Sequence, residues 1–262
     1  MSIALFVPCY VDQLKPRVGL AALDLLRAAG FDVEVLDGLP CCGQPLLTAG
    51  EERLARDVAT RFVEGTRAFD SVVTPSGSCA STLEIHGRRL VPDPPGGRAR
   101  VVELTRFLSE NGALPGPPTE FPRRVGLHAS CHALRELRQG TPSETREQAR
   151  TDPAAALLTE IPGLELIDLT RRDECCGFGG VFAVEEEAVS TRMGLDRLSD
   201  HRRGRAEVLT STDVSCLLHL EGLARREGPP LEVLHVAEIL AETHLGAGWL
   251  ETNAIRGADG SR

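Results

Sequence analysis

Along this chain the hydrophobic positions switch repeatedly between two periods, and the switching predicts short strands separated by amphipathic helices. Residues 2–8 form an unbroken apolar, β-rich run. Over 16–29, Val18, Ala21, Ala22, Leu25, Leu26 and Ala29 follow the i, i+3, i+4, i+7 stripe of a helix, with Gly30 placed as its stop. Residues 31–36 return to period two. Over 51–69, Leu54, Val58 and Phe62, with Ala55, Ala59 and Val63, mark a second helix. Residues 70–74 and 99–102 read as strands and 103–110 as a last helix. Strands alternating with helices predict parallel βαβ units, an α/β fold in which ligands collect outside the carboxyl ends of the strands.

The whole pattern occurs twice. IALFVPCY at 3–10 matches VGLHASCH at 125–132, and CCGQ at 41–44 matches CCGF at 175–178. VVTPSGSC at 72–79 matches VLTSTDVSC at 208–216, and VVELTRFL at 101–108 matches VLHVAEIL at 233–240. Four landmarks repeated in one order indicate duplication of one unit. The expected organisation is two tandem, pseudo-symmetric βαβ units with parallel sheets, over 1–111 and 124–244, with a linker at 112–123. The linker lies in the Pro- and Gly-dense NGALPGPPTEFP of 111–122, and PDPPGG at 92–97 breaks the first unit internally. Residues 245–262 show no periodicity and are expected to form a frayed tail or a partner-binding arm.

Composition narrows the function classes. Apolar residues are 42% and charged residues 26% of the 262, a globular balance with enough apolar side chains for a core. The formal charge of −9, without a long basic run, makes nucleic acid a poor partner. No apolar run approaches the ~20 residues of a spanning helix. The opening MSIALFVPCYVDQ lacks a basic region and a small-residue cleavage site, so a cytoplasmic protein is expected.

Eight cysteines carry the chemistry: Cys9, Cys41, Cys42, Cys79, Cys131, Cys175, Cys176 and Cys216. Cys9, Cys79, Cys131 and Cys216 each follow an apolar β-rich run, and the two Cys-Cys pairs lie in loops after the strands at 31–36 and 164–169. All eight thiols can therefore reach strand carboxyl ends, four per unit. In a cytoplasmic chain such a set points to metal binding rather than to disulfides. Soft thiolates select zinc, copper(I) or iron–sulfur clusters. Zinc ribbons usually offer C-x₂₋₄-C, and this chain has no C-x-x-C. The side chains of an adjacent Cys-Cys pair diverge, which suits two irons of one cluster better than a single ion. Gly43 and Gly177 let the backbone turn close to an inorganic core, and Gly179 and Gly180 add clearance and donors. The expected cofactor is one iron–sulfur cluster per unit, with all eight cysteines as ligands. A structural zinc protein, or a thiol–disulfide protein cycling the vicinal Cys41 and Cys42, are the alternatives.

Weaker signals surround this core. Lys15, Arg17, Arg171 and Arg172 are near the cysteines in sequence, either as solvated charges or as cations that moderate a cluster's charge. His128 and His132 flank Cys131, with metal, proton-transfer, substrate, hydrogen-bonding or packing roles open to them. GFGG at 177–180 lacks the G-x-G-x-x-G spacing of a nucleotide loop. Glu185, Glu186 and Glu187 suit a helix start or a solvated face.

The segments PCYVDQLKPRVG, CCGQP, PSGSC, SCHALREL, ECCGFGG and HVAEIL resemble the cysteine-rich CCG domain. That domain occurs in the heterodisulfide reductase B subunit and in iron–sulfur subunits of glycolate and glycerol-3-phosphate oxidation systems. In its two-unit form the chain is similar to the lactate-utilisation protein A family. The resemblance implies a non-flavin electron-transfer subunit of an oxidoreductase complex that converts L-lactate, or a related 2-hydroxy acid, to pyruvate. It implies two other lactate-utilisation subunits as partners, one of them iron–sulfur. The fuller CCG pattern ends each unit in C-x-x-C, and its five-thiol form in heterodisulfide reductase holds non-cubane clusters. Here Thr82 and His219 stand at the final positions. Four thiolates suffice for a 4Fe-4S cluster, and His219 is either an imidazole ligand or a helix-face residue.

Overall fold

The computed structural model describes residues 1–39, 41–146 and 148–258, with side chains to Ala254. The first half runs β1 (Ile3–Leu5), α1 (Cys9–Leu14), α2 (Pro16–Ala28), β2 (Val33–Val35), α3 (Gln44–Thr48), α4 (Glu52–Gly65), β3 (Ser71–Thr74), α5 (Gly77–Ser81), a π-helical turn (Thr82–His86), α6 (Gly87–Leu90), β4 (Arg100–Glu103) and α7 (Leu104–Asn111). The second runs β5 (Arg124–His128), a π-helical turn (His132–Glu136), α8 (Pro153–Thr159), β6 (Glu165–Leu166), α9 (Phe182–Glu185), α10 (Glu187–Arg203), β7 (Val208–Ser211), α11 (Val214–Arg226), β8 (Glu232–His235), α12 (Val236–Leu245) and α13 (Trp249–Ala258).

Each half builds a four-stranded, all-parallel sheet, in the orders β2-β1-β3-β4 and β6-β5-β7-β8. The α/β class and the duplicated parallel sheets expected from the sequence are both present. The central pairs are in register at Leu5↔Val73 and His128↔Ser211. Strands β1, β3 and β7 are buried along their whole length, as parallel sheets covered by helices require. Across the halves α2 packs on α12 and α7 packs on α8. Because α2 and α8 occupy matching places in the repeat, as do α7 and α12, this contact is self-complementary about a pseudo-two-fold axis. One apolar cluster crosses it, including Val18, Leu25, Leu108, Leu158, Ile239 and Leu240. Lys15 and Arg17 add ion pairs across it to Glu221 and Glu238. Among the described residues no helix is long and apolar enough to cross a membrane.

The tail differs from expectation. Residues 249–258 are helical, and α13 lies against α2 and α12. The Trp249 indole N–H donates to Asp24 at 3.1 Å, and Asn253 is buried. Among the described side chains the docking face is Trp249, Leu250 and Asn253, too short to announce a period, so the packing partner, not the local pattern, sets this helix. Residues 259–262 of the expected tail lie outside the described residues.

Glu103 caps α7 and carries a pH signature. Its carboxylate accepts from the Thr105 N–H at 3.0 Å and the Arg106 N–H at 3.3 Å, yet complete burial pushes its pKa up to about 7. A raised folded-state value means that the native protein holds this proton more tightly than the unfolded chain. The contribution is present below the unfolded value of 4.5 and is lost as pH rises through about 7. Relative to Glu103→Gln, wild-type protein should lose about 3 kcal/mol between pH 5 and pH 8, read from urea midpoints. His235 caps α12 at the matching place, its Nδ1 accepting the Ala237 N–H at 3.1 Å. Burial lowers its pKa, so its contribution has the opposite sense and is lost as pH falls.

Candidate metal centres

Four thiols meet in each half. In the first, Cys9 neighbours Cys41, Cys41 neighbours Cys42, and Cys42 neighbours Cys79. In the second, the same run of neighbours is Cys131, Cys175, Cys176, Cys216. The contributing places match. Cys9 opens α1, Cys131 precedes a π-helical turn, and Cys79 and Cys216 lie in the first turns of α5 and α11. Helix N-termini favour sulfur in its anionic form. The Cys-Cys pairs sit on loops whose following glycine is left-handed, Gly43 at φ +86° and Gly177 at φ +88°. That turn aims the Gly43 N–H at the Cys41 sulfur at 3.4 Å and the Gly177 N–H at the Cys175 sulfur at 3.3 Å. The next amides, of Gln44 and Phe178, donate to Cys42 and Cys176.

Within each quartet one thiol ionises ahead of its neighbours. Cys41 is lowered because the thiols of Cys42 and Cys9 donate to it, and Cys175 because those of Cys131 and Cys176 do. The donating thiols are raised correspondingly. All eight cysteines are free, and Cys42, Cys79, Cys176 and Cys216 are buried. Neighbouring soft donors, backbone N–H groups aimed at sulfur and left-handed glycine turns beside them fit a thiolate-bound cluster.

The two quartets are not separate sites. Seven of the eight cysteines, all but Cys41, line one cavity of about 150 Å³ between the halves. Tyr10 from the first half and Phe178 from the second meet edge to face across it, ring centroids 6.0 Å apart. Gly179 and Gly180, both left-handed, shape the same wall. His132 also lines it, its Nε2 3.0 Å from the Gln44 amide of the other half.

The flanking residues sort differently from their sequence positions. Lys15 and Arg17 pair with Glu221 and Glu238, Arg171 with Glu174 at 2.5 Å, and Arg172 with Asp168 at 3.5 Å. Each of these cations is thus engaged by a carboxylate. Thr82 donates its hydroxyl to the Ser78 carbonyl at 2.8 Å, a bond within its own helix. His219 places Nε2 3.3 Å from the Ser190 carbonyl and leans on Phe178, so its helix face is occupied by packing.

His128 is the imidazole that reaches sulfur. It ends β5, is 1% exposed, and its donor atom lies within 4.8 Å of those of Cys176 and Cys216. Burial, then the Arg197 guanidinium, lower its pKa to about 4, which keeps it neutral. Arg197 is the residue that sequence reasoning missed. It is wholly buried in α10, donates to the Arg171 carbonyl, and has Asp200 at 3.5 Å and Glu174 at 4.0 Å. A lone arginine on a helix of low apolar content reads as a solvated charge. The available signal was the internal repeat, which places an apolar residue there in the first half.

The family described as "CCG: Cysteine-rich domain" matches residues 3–84 and 125–221. Lactate utilization protein A of Geobacillus thermodenitrificans (strain NG80-2) is 31% identical over 246 residues, covering 92% of this chain and 98% of its own. The protein of the same name from Geobacillus kaustophilus (strain HTA426) is 32% identical over 246 residues, with the same two coverages. Among solved structures, the glutamate racemase isoform RacE1 of Bacillus anthracis covers 99% of this chain and 83% of its own at 11% identity, with a TM-score of 0.36.

Proposed function

The chain belongs to the cysteine-rich CCG domain family and, within it, to the lactate utilization A proteins, and from that premise we propose that it is the iron–sulfur electron-transfer subunit of a system oxidising L-lactate, or a related 2-hydroxy acid, to pyruvate. It works in the cytoplasm with two other subunits, one of them itself iron–sulfur. The observation that carries this reading is the pair of thiol quartets, each a run of neighbouring thiols and both facing one cavity.

Cys9, Cys41, Cys42 and Cys79 would hold one cluster, and Cys131, Cys175, Cys176 and Cys216 the other. A bound iron–sulfur group supplies one-electron transfer. The polypeptide does the rest. The amides of Gly43, Gln44, Gly177 and Phe178 donate to sulfur and offset its negative charge. The Tyr10–Phe178 pair covers the cavity with apolar edges and limits water at the thiols. Side chains from both halves line one small cavity, which suits electron passage from one centre to the other. Abstraction of hydrogen from the hydroxy acid falls to a partner subunit, because the sequence carries no flavin or nicotinamide fingerprint.

Anaerobically prepared Cys42→Ser and Cys176→Ser proteins test the assignment. Each should lose its own unit's share of iron, acid-labile sulfide and thiolate-to-iron absorption, and each should abolish lactate-dependent growth. Zinc without sulfide in the wild-type protein, or unchanged spectra and growth in both variants, would refute it.

A further inference from the structure

The duplication supplies an internal control, because the two halves place different residues behind matching cysteines. His128 stands three positions before Cys131, and Phe6 three before Cys9. Gly177 approaches Met193 and Ser190, whereas Gly43 approaches Val58 and Ala55. Counting four residues on from Met193 and from Val58, Arg197 therefore matches Phe62. In the first half Phe6 and Phe62 pack edge to face, with ring centroids 5.5 Å apart at 81°. In the second half the same two places hold an imidazole and a guanidinium, both buried. The same two scaffold positions thus form an apolar wall behind the first quartet and a polar pair behind the second.

We propose that His128 is a protein ligand of the second centre, a fifth donor that the first centre lacks. The proposal rests on the iron–sulfur reading above. Three observations converge on it. The His128 side chain is 1% exposed, and neither ring nitrogen has a hydrogen-bond partner. A buried polar group without a partner is costly, and it persists where something outside the protein's own hydrogen bonds completes it. Its donor atom lies within 4.8 Å of both the Cys176 and Cys216 donors, close enough for the three to share one metal neighbourhood. Imidazole nitrogen is a ligand that iron accepts beside thiolate.

Charged groups face the ring from several elements. Arg197 faces it from α10, with Asp200 and Glu174 around the guanidinium. His201, buried on the same helix, is the other imidazole nearby, and Asp213 and Cys175 complete the charged groups that face His128. The two centres are consequently unequal. The first is backed by phenyl rings, and the second has a nitrogen donor and a buried cation behind it. His219, the histidine at the position where the CCG pattern has a cysteine, keeps its bond to the Ser190 carbonyl and takes no part.

The test is pulsed EPR on the reduced, anaerobic holoprotein grown with ¹⁵N-histidine. The labelled wild-type protein should show the strong coupling of a metal-bound imidazole nitrogen, with the ¹⁵N pattern replacing the ¹⁴N pattern of unlabelled protein. His128→Phe, which installs the residue of the first half, should lose that coupling while the first centre's signal remains. His219→Leu should retain it. If His128→Phe fails to fold, His128→Asn keeps a polar group in the pocket and should lose the coupling equally. Iron in both centres with no histidine coupling in the wild-type protein, or only the weak coupling of a hydrogen-bonded ring, overturns the ligand assignment alone. Coupling that survives in the folded His128 variant does the same. Absence of iron from both centres brings down the function reading and this inference together.

Discussion

Alanine at Gly177 is expected to empty the second centre and to destabilise the reduced, metal-free protein by roughly 2–4 kcal/mol, while alanine at Gly43 costs about 1–2 kcal/mol and leaves the first centre loadable. Both glycines are left-handed at nearly the same φ, so both substitutions incur the backbone strain of a Cβ in that region. The difference lies in what the new methyl would touch. At Gly43 it meets the Val58 Cγ1 at 3.3 Å, a side-chain tip that can turn away. At Gly177 it meets the Ser190 carbonyl oxygen and the Met193 Cβ, each at 2.7 Å. Those atoms belong to the backbone face of α10 and have no rotamer to change. The Ser190 hydroxyl also donates to the Gly177 carbonyl at 2.7 Å, locking loop to helix. Relief therefore requires moving the loop off α10, which shifts Cys175 and Cys176 relative to Cys131 and Cys216. Urea midpoints of the metal-free variants and iron per chain after anaerobic reconstitution read the two effects separately. Equal losses at the two glycines would contradict this account.

The repeat that made the site legible is a feature of spacing. Cysteine order and the apolar runs before Cys9, Cys79, Cys131 and Cys216 are local facts, and they gave both parallel sheets and the grouping of thiols by half. What stayed hidden depends on how the halves meet. Nothing in the spacing of the quartets says that they share a cavity. That depends on α2 lying on α12 and α7 on α8, contacts between elements far apart in the chain. The helix α13 escaped notice because its short docking face has meaning only against Asp24 and α2. His219 drew attention because a sequence pattern singles out its position. The imidazole beside sulfur is instead His128, the last residue of β5, where the chain turns into the loop that carries Cys131. The repeat did contain that signal, as Phe6 against His128 and Phe62 against Arg197. Reading it required knowing that both places are buried.

Removal of the Asp213 carboxylate should cost roughly 3–5 kcal/mol and loosen both centres at once, because this one group serves two helices from two halves. Asp213 is 1% exposed. Its Oδ1 accepts from the Ser215 N–H at 3.1 Å and the Ser215 hydroxyl at 2.6 Å, capping α11 beside Cys216. Its Oδ2 accepts from the Ser78 N–H at 2.7 Å, in the first turn of α5 beside Cys79. Next to it the Gly77 N–H donates to the Thr212 carbonyl at 3.1 Å, so backbone and side chain together clasp the halves at the cavity. Asp213→Ala would orphan two N–H donors, one in each half, that of Ser78 buried and that of Ser215 half-buried. Asp213→Asn would keep the shape, but its amide hydrogens would face groups that themselves donate, so it should recover only part of the loss. The matching cap in the first half is Ser76, which accepts from the Cys79 N–H at 3.3 Å and reaches no residue of the second half through that bond. Ser76→Ala should therefore cost only about 1 kcal/mol. Denaturant unfolding of the three variants measures the ranking, and iron content separates the roles. Asp213→Ala should lower loading of both centres, whereas Ser76→Ala should touch the first alone. A loss confined to the second half in Asp213→Ala would mean that the carboxylate is a helix cap and nothing more.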